Sequence, residues 1–502
     1  MTRDPHPVQN RAELADTPAK RTALDCLAAG IEAARPERAV ESAVAVEGTT
    51  LRVSGAVAGE ESGRETVSGA GGHGAVTVDL AAFDRILVVG GGKAAAGLVR
   101  GLHSTLDDAG FAPDDGTVLV PDDAAGRVGS VELVAGGHPT PTESGVAATR
   151  RALAELDAAD EDTLVLAPIT GGGSALLAAP VVETADTAGV SLSALQSVTD
   201  ELLDAGADIG SINTVRTHLS AVKGGKLAAR AAPATVIGLL VSDVAGDDPG
   251  VIASGPTVPD ATTPADAVAV LDRFGIDAPE VRAVLADRGA QAADGDRTAT
   301  ADGTTTADST ATADGTTTAD DTATADRPTL DSAETVVVAD VRTALRAARD
   351  AAVTAGYDAR ILSDRVTGEA RVRGRIAAAL ASAVTDCGDR PTVLLSGGET
   401  TVTVTGDGRG GPNCEYALAA GGELARRELG ESVAVGAVDT DGLDGSTDAA
   451  GGLLDGTTVS PAQATDALDA NDSLSVLSAV GAAVRTGPTG TNVNDLRVIV
   501  VE

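Results

Sequence analysis

The sequence predicts a two-domain α/β protein. Its 502 residues are more than one ordinary hydrophobic core contains. Short apolar runs repeatedly end in glycine-rich loops, and stretches with helical spacing follow them. Such units are typical of a largely parallel sheet covered by helices. Because aromatic residues make up only 1% of the chain while 43% is hydrophobic, we expect cores built from Val, Leu, Ile and Ala.

Three strand-and-loop units define the first domain, which we place at residues 20–290. A strand at Ile86–Val89 ends in GGGK, one at Thr163–Ala167 precedes the loop PITGGGS, and one at Val236–Val241 ends in SDVAGDD. Ligands bind at the carboxyl ends of parallel strands. We therefore expect these three loops to lie together.

A low-complexity segment follows the first domain. Between residues 292 and 328 the motif TATADGTTTAD repeats with a period of twelve and offers almost nothing apolar beyond alanine. Such a segment cannot offset the entropy of ordering, so we interpret it as an acidic, disordered insertion. A second segment of low apolar content, residues 55–75, is interpreted as a surface loop. Strand and helix patterns resume in a second α/β domain at 331–502.

The charge balance limits the partners. The formal net charge of −37 disfavours nucleic acid as a partner. The acidic residues are spread through predicted helices and strands, which favours a folded protein adapted to molar salt, where charge repulsion is screened. The N-terminus lacks the apolar core of a signal peptide, and no apolar run approaches the length of about 20 residues that spans a bilayer. We therefore expect a cytoplasmic protein, and a homo-oligomer is compatible with the sequence.

The glycine loops are candidate phosphate sites. In GGGK, Gly91 and Gly92 precede Lys93 at a strand-to-helix turn, where backbone N–H groups and the helix dipole favour an anion. The loop lacks the GxxxxGK[ST] pattern of a Walker loop and the GxGxxG pattern of a dinucleotide site. GGGSALL, with Gly172, Gly173 and Ser174, follows the same logic, although a simple helix cap explains Ser174 equally well.

A basic stretch, INTVRTHLSAVKGGKLA, is a candidate anion site. Asn213, Arg216, Ser220 and Lys223 recur at spacings of three and four, which predicts one shared helix face. In so acidic a chain, this concentration of cations indicates a bound anion. The plainer alternative is a solvated helix face.

Acidic loops are candidates for binding a divalent cation. Asp243 and Asp247 follow the third strand, and carboxylates on a glycine loop suit Mg²⁺ better than zinc. Asp441 lies in a comparable loop, DTDGLDGSTD, which does not fit an EF-hand. Arg409 stands inside the glycine run GRGG and is a candidate clamp on a transferring phosphate.

Taken together and in order, these motifs resemble the glycerate 2-kinase family with its C-terminal MOFRL domain. The matching stretches are VVGGGKAA, GGHPTPTESG, ITGGGSALLAAP, INTVRTHLSAVKGGKLA, VSDVAGDDPGVIASGPTVPD, SGGETTVTVTGDGRGGPNCE, DTDGLDGSTDAAG and GPTGTNVNDL. The resemblance implies a Rossmann-like N-terminal domain, a C-terminal α/β domain of MOFRL type and a cleft between them. It also implies ATP and Mg²⁺ as co-substrates, D-glycerate as acceptor and 2-phosphoglycerate as product.

The resemblance also implies residue roles. The family's motif lysine and arginine fall on Lys93 and Arg409, which we expect to be catalytic together with Asp243 and Asp247, the two expected Mg²⁺ ligands. Substrate or nucleotide binding is expected from Gly91, Gly92, Gly172, Gly173, Ser174, Asn213, Arg216, Lys223, Glu399, Asn413 and Asp441. The family usually reads GRGGRNQE, whereas this chain has Pro412 and Cys414 in place of Arg and Gln.

Other functions stay open at this level. An NAD(P)H-dependent hydroxypyruvate reductase would need a dinucleotide fingerprint, which is absent, and a general acid, for which His138 is the one candidate. A kinase for another small hydroxy acid fits the same motifs. A non-catalytic anion-binding protein fits less well, because so many polar loops across two domains suit a closing active site. Consumption of ATP and oxidation of NADH would separate these hypotheses.

Overall fold

A computed structural model describes residues 7–56, 75–184, 188–301, 330, 332–388 and 391–502. Most of the predicted loop at 55–75 lies outside these ranges, as does the greater part of the predicted insertion, 302–328. The insertion was expected to begin at residue 292. The backbone of residues 292–301 instead continues a helix, Pro279–Ala301.

Within the described ranges, the strands form three sheets. The small first sheet contains β1 (Val44–Glu47), β2 (Thr50–Val53) and β3 (Val76–Asp79). The second sheet contains β4 (Arg85–Gly91), β5 (Asp115–Val120), β6 (Gly126–Val128), β7 (Val131–Ala135), β8 (Thr163–Thr170), β9 (Thr235–Val241) and β10 (Ala333–Ala339). The third contains β11 (Asp358–Val366), β12 (Thr392–Gly398), β13 (Val433–Asp439), β14 (Gly451–Asp455), β15 (Ala483–Val484) and β16 (Asp495–Val501).

Helices cover the two larger sheets. They are α1 (Arg11–Leu14), α2 (Pro18–Ala33), α3 (Pro36–Ala43), α4 (Ala95–Asp108), α5 (Glu143–Leu156), α6 (Gly173–Leu176), α7 (Leu192–Asp204), α8 (Ile209–His218), α9 (Lys226–Ala231), α10 (Pro264–Phe274), α11 (Pro279–Ala301), α12 (Val341–Thr354), α13 (Ala370–Cys387), α14 (Pro412–Arg426), α15 (Pro461–Asp469) and α16 (Ser473–Ala479). Among the helices of the described ranges, none has the length and apolar character needed to cross a bilayer.

The larger N-terminal sheet confirms the predicted α/β class. Its order is β10-β9-β8-β4-β5-β7-β6, and all neighbours are parallel except β6 and β7. The central strand β8 is buried along its whole length, as expected when helices cover both faces of a sheet. The carboxyl ends of β4, β8 and β9 therefore lie side by side at one edge.

The C-terminal sheet is mixed, with the order β11-β12-β16-β13-β14-β15. Strands β11 and β12 are parallel, whereas β16 runs antiparallel to both β12 and β13. As a result, the chain enters β16 at Asp495, directly beside the points where β12 and β13 end. This arrangement brings the loop after β12, the loop after β13 and the start of β16 to one edge.

The domain boundary is not where we placed it. Strand β10, which we expected to open the second domain at 331, pairs with β9 and belongs to the N-terminal sheet. The chain passes to the C-terminal sheet only at Asp340, whose side chain caps helix α12. Conversely, helix α2 packs on α12, β13 and β16 of the C-terminal sheet. Alternating apolar residues alone could not reveal which sheet a buried strand or helix would join.

Candidate active site

Hydrogen bonds join the loop after β4 to the end of β8, and Asp243 of the loop after β9 approaches Gly171, which confirms that the three loops lie together. Lys93 N–H donates to the carbonyl of Gly171 (2.8 Å), and Ala94 N–H donates to the Thr170 hydroxyl (3.0 Å). Helix α4 begins at Ala95, so the Lys93 side chain stands at a helix N-terminus. Lys93 is exposed, and no described carboxylate forms an ion pair with it. An anion would therefore find a cation beside a helix N-terminus at this turn.

The glycines after β8 make room for three polar side chains. A Cβ on Gly171 would collide with the Asp243 carboxyl. A Cβ on Gly172 would lie 2.9 Å from Lys93 Cγ and 3.2 Å from His138 Nε2. Gly172 also has a φ of 78°, which glycine adopts without strain. Because the glycines of the GGG sequence have no Cβ, Asp243, Lys93 and His138 can all approach this turn closely.

The electrostatics of this turn follow from its burial. Burial raises the pKa of Asp243, Lys93 opposes the shift, and Asp441 adds to it. Partial burial lowers the pKa of His138, which still reaches solvent, and the nearby Lys93 lowers it further. The turn thus combines one cation with an imidazole of lowered and a carboxyl of raised proton affinity.

Carboxyls of the C-terminal sheet face this turn. Burial raises the pKa of Glu399, which directly follows β12, and both Asp495 and Asp243 raise it further. Asp441 follows β13 and acts in turn on Asp243. These interactions couple carboxyls at the carboxyl-end loops of the two sheets. A site between the two domains stays a prediction of the family resemblance.

A buried polar network supports the C-terminal side of the site. Asn413, fully buried at the start of α14, donates from Nδ2 to Asp495 (2.7 Å) and to Asp444 (3.2 Å). Asp444 also accepts the main-chain N–H groups of Asn413 (2.9 Å) and Cys414 (2.7 Å). Asp495 pairs with Arg497, which donates to the Thr400 hydroxyl beside Glu399 (3.0 Å). Asn413, predicted to bind substrate, therefore lies inside this network, where it connects α14 to β16.

Arg409 lies on an exposed segment between β12 and α14. Its main-chain N–H donates to Asp472 (3.0 Å), and its carbonyl accepts from Leu474 N–H (2.9 Å). Within the described residues, its guanidinium forms no ion pair or hydrogen bond. The main chain of Arg409 is thus held in place, whereas its guanidinium has no partner among the described residues.

The basic stretch is not one helix face. Helix α8 ends at His218, so Ser220 and Lys223 lie beyond it and the predicted helical face is wrong. A tight turn of glycines follows, with Gly224 and Gly225 both at positive φ. Tertiary folding nevertheless brings the cations together, because Arg216 Nη2 (3.0 Å) and Lys223 Nζ (2.7 Å) both donate to the carbonyl of Ser174.

These two cations are held behind the GGGS turn. Lys223 is 3% exposed, and burial lowers its pKa, as does the neighbouring Arg216. A cavity of about 10 Å³, room for roughly one water, lies among the two cations, Ser174, Ser220, Leu195 and Ala178–Ala179. Asn213 reaches the same turn through Ser254, which hydrogen-bonds both Asn213 Oδ1 (3.4 Å) and Ser174 Oγ (2.9 Å). Direct binding of an anion by Arg216, Lys223 and Asn213 stays a prediction.

Asp247 has a different set of neighbours from Asp243. Its pKa is raised by burial and by Asp340, while Ser242 and Arg342 lower it. The described ranges contain no group of three or more His, Cys, Asp or Glu side chains arranged around a metal. The facing carboxyls Asp243, Asp441 and Glu399 are hard oxygen donors of the kind Mg²⁺ takes one or two at a time, together with water and substrate phosphates. Mg²⁺ binding, with Asp243 and Asp247 as its ligands, stays a prediction.

Sequence reasoning missed several supporting residues. Asp444, Asp495 and Arg497 lie in or next to the motif stretches DTDGLDGSTD and NVNDL, so acidic residues at strand ends were a usable signal. Asn471 and Asp472, which contact the Arg409 segment, belong to no motif that sequence analysis singled out.

Comparison with known proteins places this chain in a family. Residues 22–286 match a family model described as a domain of unknown function (DUF4147), and residues 392–495 match the MOFRL family. A D-glycerate 2-kinase of Thermotoga maritima is 37% identical over 426 residues, covering 82% of this chain and 90% of the relative. The crystal structure of a glycerate kinase from the same organism matches with a TM-score of 0.74 at 32% identity, covering 96% of this chain and 99% of that one.

The chain belongs to the glycerate 2-kinase family. Some proteins similar to this chain carry another name: a putative hydroxypyruvate reductase of Agrobacterium vitis is 38% identical over 431 residues, covering 83% of this chain and 87% of that protein.

The structure explains how this member of the glycerate 2-kinase family accommodates its unusual GGPNCE sequence. Pro412 is the first residue of α14, where the missing N–H costs no helical hydrogen bond. Cys414 is fully buried, and burial, with the adjacent Asp444, raises the pKa of its thiol well above the usual value. Cys414 therefore packs in the core at the base of the site.

Proposed function

We propose that the protein transfers the γ-phosphoryl group of ATP to the 2-hydroxyl of D-glycerate, producing 2-phosphoglycerate and ADP. One observation carries the proposal: Lys93 and the GGGS turn lie beside Asp243 and opposite Glu399 and Asp441. Backbone N–H groups, a cation and facing carboxylates are the groups that phosphoryl transfer requires. The similarity to proteins named glycerate 2-kinase supports this choice of substrate.

In the proposed reaction, Asp243 accepts the proton of the glycerate 2-hydroxyl. The hydroxyl oxygen attacks the γ-phosphorus, the bond from this phosphorus to the bridging oxygen breaks, and ADP leaves. The raised pKa of Asp243 suits a general base, because catalytic proton acceptors work best when their pKa lies nearer the operating pH. Asp247 has no comparable position at the GGGS turn, so Asp243 is the better candidate of the two.

Lys93 and Arg409 stabilise the charge that develops on the transferring phosphoryl oxygens. Lys93 does so from the N-terminal domain and Arg409 from the C-terminal domain, so closure of the cleft would bring both cations to one phosphate. Asp441 and Glu399 would hold Mg²⁺, which neutralises phosphate charge when bound. Arg216 and the buried Lys223 act on the same turn through the Ser174 carbonyl.

A second candidate function is reduction of hydroxypyruvate, since a 38% identical relative bears that name. His138 lies at the GGGS turn, where a proton donor to a carbonyl would be needed. Burial and Lys93 lower the pKa of His138, however, which makes it a poor acid near pH 7. The loop after β4 also lacks the GxGxxG spacing of a dinucleotide site. We therefore rank the reductase second.

Two parallel assays in molar KCl test these functions. The first contains D-glycerate, ATP and MgCl₂ and follows ADP release. The second contains hydroxypyruvate and NADH and follows absorbance at the NADH band. ADP release that requires D-glycerate, without NADH oxidation, is the expected result. NADH oxidation without ADP release would overturn the kinase proposal. Replacing D-glycerate by other small hydroxy acids in the first assay tests the choice of acceptor.

We also propose that the protein works in a salt-rich cytoplasm. The net charge of −37 supports this location, because self-repulsion is strong in dilute buffer and is screened where the Debye length is about 3 Å, near 1 M salt. The midpoint of thermal unfolding is expected to rise steadily between 0.1 and 2 M KCl. A midpoint that is independent of salt would contradict the proposal.

A further inference from the structure

The segment that carries Arg409 is packed flat on another part of the chain. Gly406, Gly408 and Gly410 each face residues 470–473, which are the turn between α15 and α16 together with the first residue of α16 and are here called the α15–α16 turn. A Cβ on any of the three would collide with this turn, at the Ala470 carbonyl, the Asp472 Cβ or the Ser473 hydroxyl. The alternating glycines of TGDGRGG are therefore explained by close contact with the α15–α16 turn.

Asn471 is the main polar contact in this interface. Its Oδ1 accepts the main-chain N–H groups of Thr405 (2.8 Å) and Gly406 (2.9 Å), and its Nδ2 donates to the Thr403 carbonyl (3.2 Å). The side chain is 6% exposed. Its φ of 52° lies in the left-handed region, which asparagine tolerates better than most residues. One side chain thus satisfies three main-chain groups of the Arg409 segment.

The same turn holds the main chain on both sides of Arg409. Gly408 N–H donates to the Ala470 carbonyl (3.0 Å), and Arg409 N–H donates to Asp472 Oδ1 (3.0 Å). The Arg409 carbonyl accepts from Leu474 N–H (2.9 Å). The α15–α16 turn therefore fixes the position of the Arg409 backbone, while the guanidinium has no anchor of its own in the described structure.

We propose that Asn471 and Asp472 are positioning residues for Arg409. They hold the glycine segment in the conformation that directs the Arg409 guanidinium to the transferring phosphoryl group. A long, flexible arginine contributes to catalysis only if its backbone is fixed, because small displacements from the productive geometry are costly. The proposal rests on the proposed phosphoryl transfer and adds residues that lie more than sixty positions from Arg409 in sequence.

A double-mutant cycle tests this role. Asn471→Gly removes the side chain but keeps a residue that adopts positive φ without strain. In the wild-type background we expect about a tenfold loss of kcat with KM for ATP changed less than about twofold, since a displaced Arg409 weakens the transition state more than binding. In an Arg409→Ala background, Asn471→Gly is expected to cause no further loss of kcat.

Ser460→Ala is the matched control. Ser460 caps the other end of α15, where it accepts from Gln463 N–H, and its hydrogen bonds within the described residues go to Gln463 rather than to the Arg409 segment. This variant removes a local polar anchor from the same helix, and kcat should stay unchanged. Asp472→Ala, which loses the bond to Arg409 N–H, is expected to repeat the pattern of Asn471→Gly.

The outcomes are distinct. An equal loss of kcat from Asn471→Gly with and without Arg409 would overturn the positioning role, because the two residues would then act independently. Unchanged kcat in Asn471→Gly would overturn it as well. If Arg409→Ala alone had no effect on kcat, the assigned role of Arg409 would fail and the positioning proposal with it. Wild-type protein without kinase activity would instead contradict the proposed function itself.

Discussion

The two sides of the cleft are built differently. On the N-terminal side, Lys93, the GGGS turn and Asp243 each follow a parallel strand directly, so position along the chain determines position in space. On the C-terminal side, Arg409 lies on a segment without regular structure, anchored by residues 470–474. Sheet topology places the first set of groups, and side-chain contacts distant in sequence place the second. Substitutions should therefore act locally on one side and through partners on the other.

Removal of the Lys93 ammonium is expected to have the largest effect. Lys93→Ala should lower kcat/KM for ATP roughly 1000-fold, the upper range for losing one group that stabilises transition-state charge. Steady-state ADP release measures this effect. Arg100→Ala, an exposed position on the same helix paired with Glu37, is the control and should stay near wild-type activity. A loss below about threefold in Lys93→Ala would show that this lysine does not carry the chemistry.

The buried network on the C-terminal side should make stability depend on pH. Burial raises the pKa of Asp444 to about 6 from an ordinary value of 3.8. The folded state therefore binds its proton more tightly than the unfolded state, so this group's contribution weakens as pH rises from about 4 to about 6. The expected decrease in unfolding free energy is up to about 3 kcal/mol. Asp439 and Asp495, whose pKa values burial also raises, act in the same direction.

Urea unfolding at pH 4, 5, 6 and 7 in constant molar KCl measures this dependence. The decrease between pH 4 and pH 6 should be smaller in Asp444→Asn, which has no proton to lose. Asp455 is a buried carboxylate whose pKa is lowered and whose partner is Lys20. Its contribution to the unfolding free energy has the opposite pH dependence, because it is lost as the pH falls. An identical pH profile in wild type and Asp444→Asn would refute the assignment of this titration to the C-terminal network.

A smaller effect should separate two consequences of replacing a glycine at the GGGS turn. One is the collision of the new Cβ with its neighbours, and the other is strain in the backbone. Gly172 and Gly206 have nearly the same φ, 78° and 75°, but only Gly172 faces functional side chains, and nothing lies within 4 Å of a Cβ on Gly206. Alanine at either position costs about the same backbone strain. Gly172→Ala should in addition lower kcat by roughly tenfold to 100-fold, because Lys93 and His138 must move. Equal kcat values in the two variants would mean that the close approach at Gly172 is unimportant for catalysis.

The sequence allowed good prediction of the N-terminal side and poor prediction of the C-terminal side. The loops after β4, β8 and β9 could be placed because parallel strands bring their carboxyl ends to one edge. The assignment of β10 to the N-terminal sheet could not be foreseen, because the apolar sequence of a buried strand does not show which strand it pairs with. Likewise, Arg216 and Lys223 converge on Ser174 through a glycine turn rather than a helix face. The role of Asn471 could not be recognised from the sequence, because its side chain acts through hydrogen bonds to three main-chain groups.

Phosphorus-31 NMR of the reaction product tests the central claim most directly. The sample contains D-glycerate, ATP and MgCl₂ in molar KCl with wild-type protein, and a parallel sample contains Lys93→Ala. Our account predicts that ATP is converted to ADP and that the signal of 2-phosphoglycerate is seen only in the sample with wild-type protein. Formation of 3-phosphoglycerate would contradict the proposed attack by the 2-hydroxyl. Absence of any phosphoglycerate signal would contradict phosphoryl transfer to glycerate by this cleft.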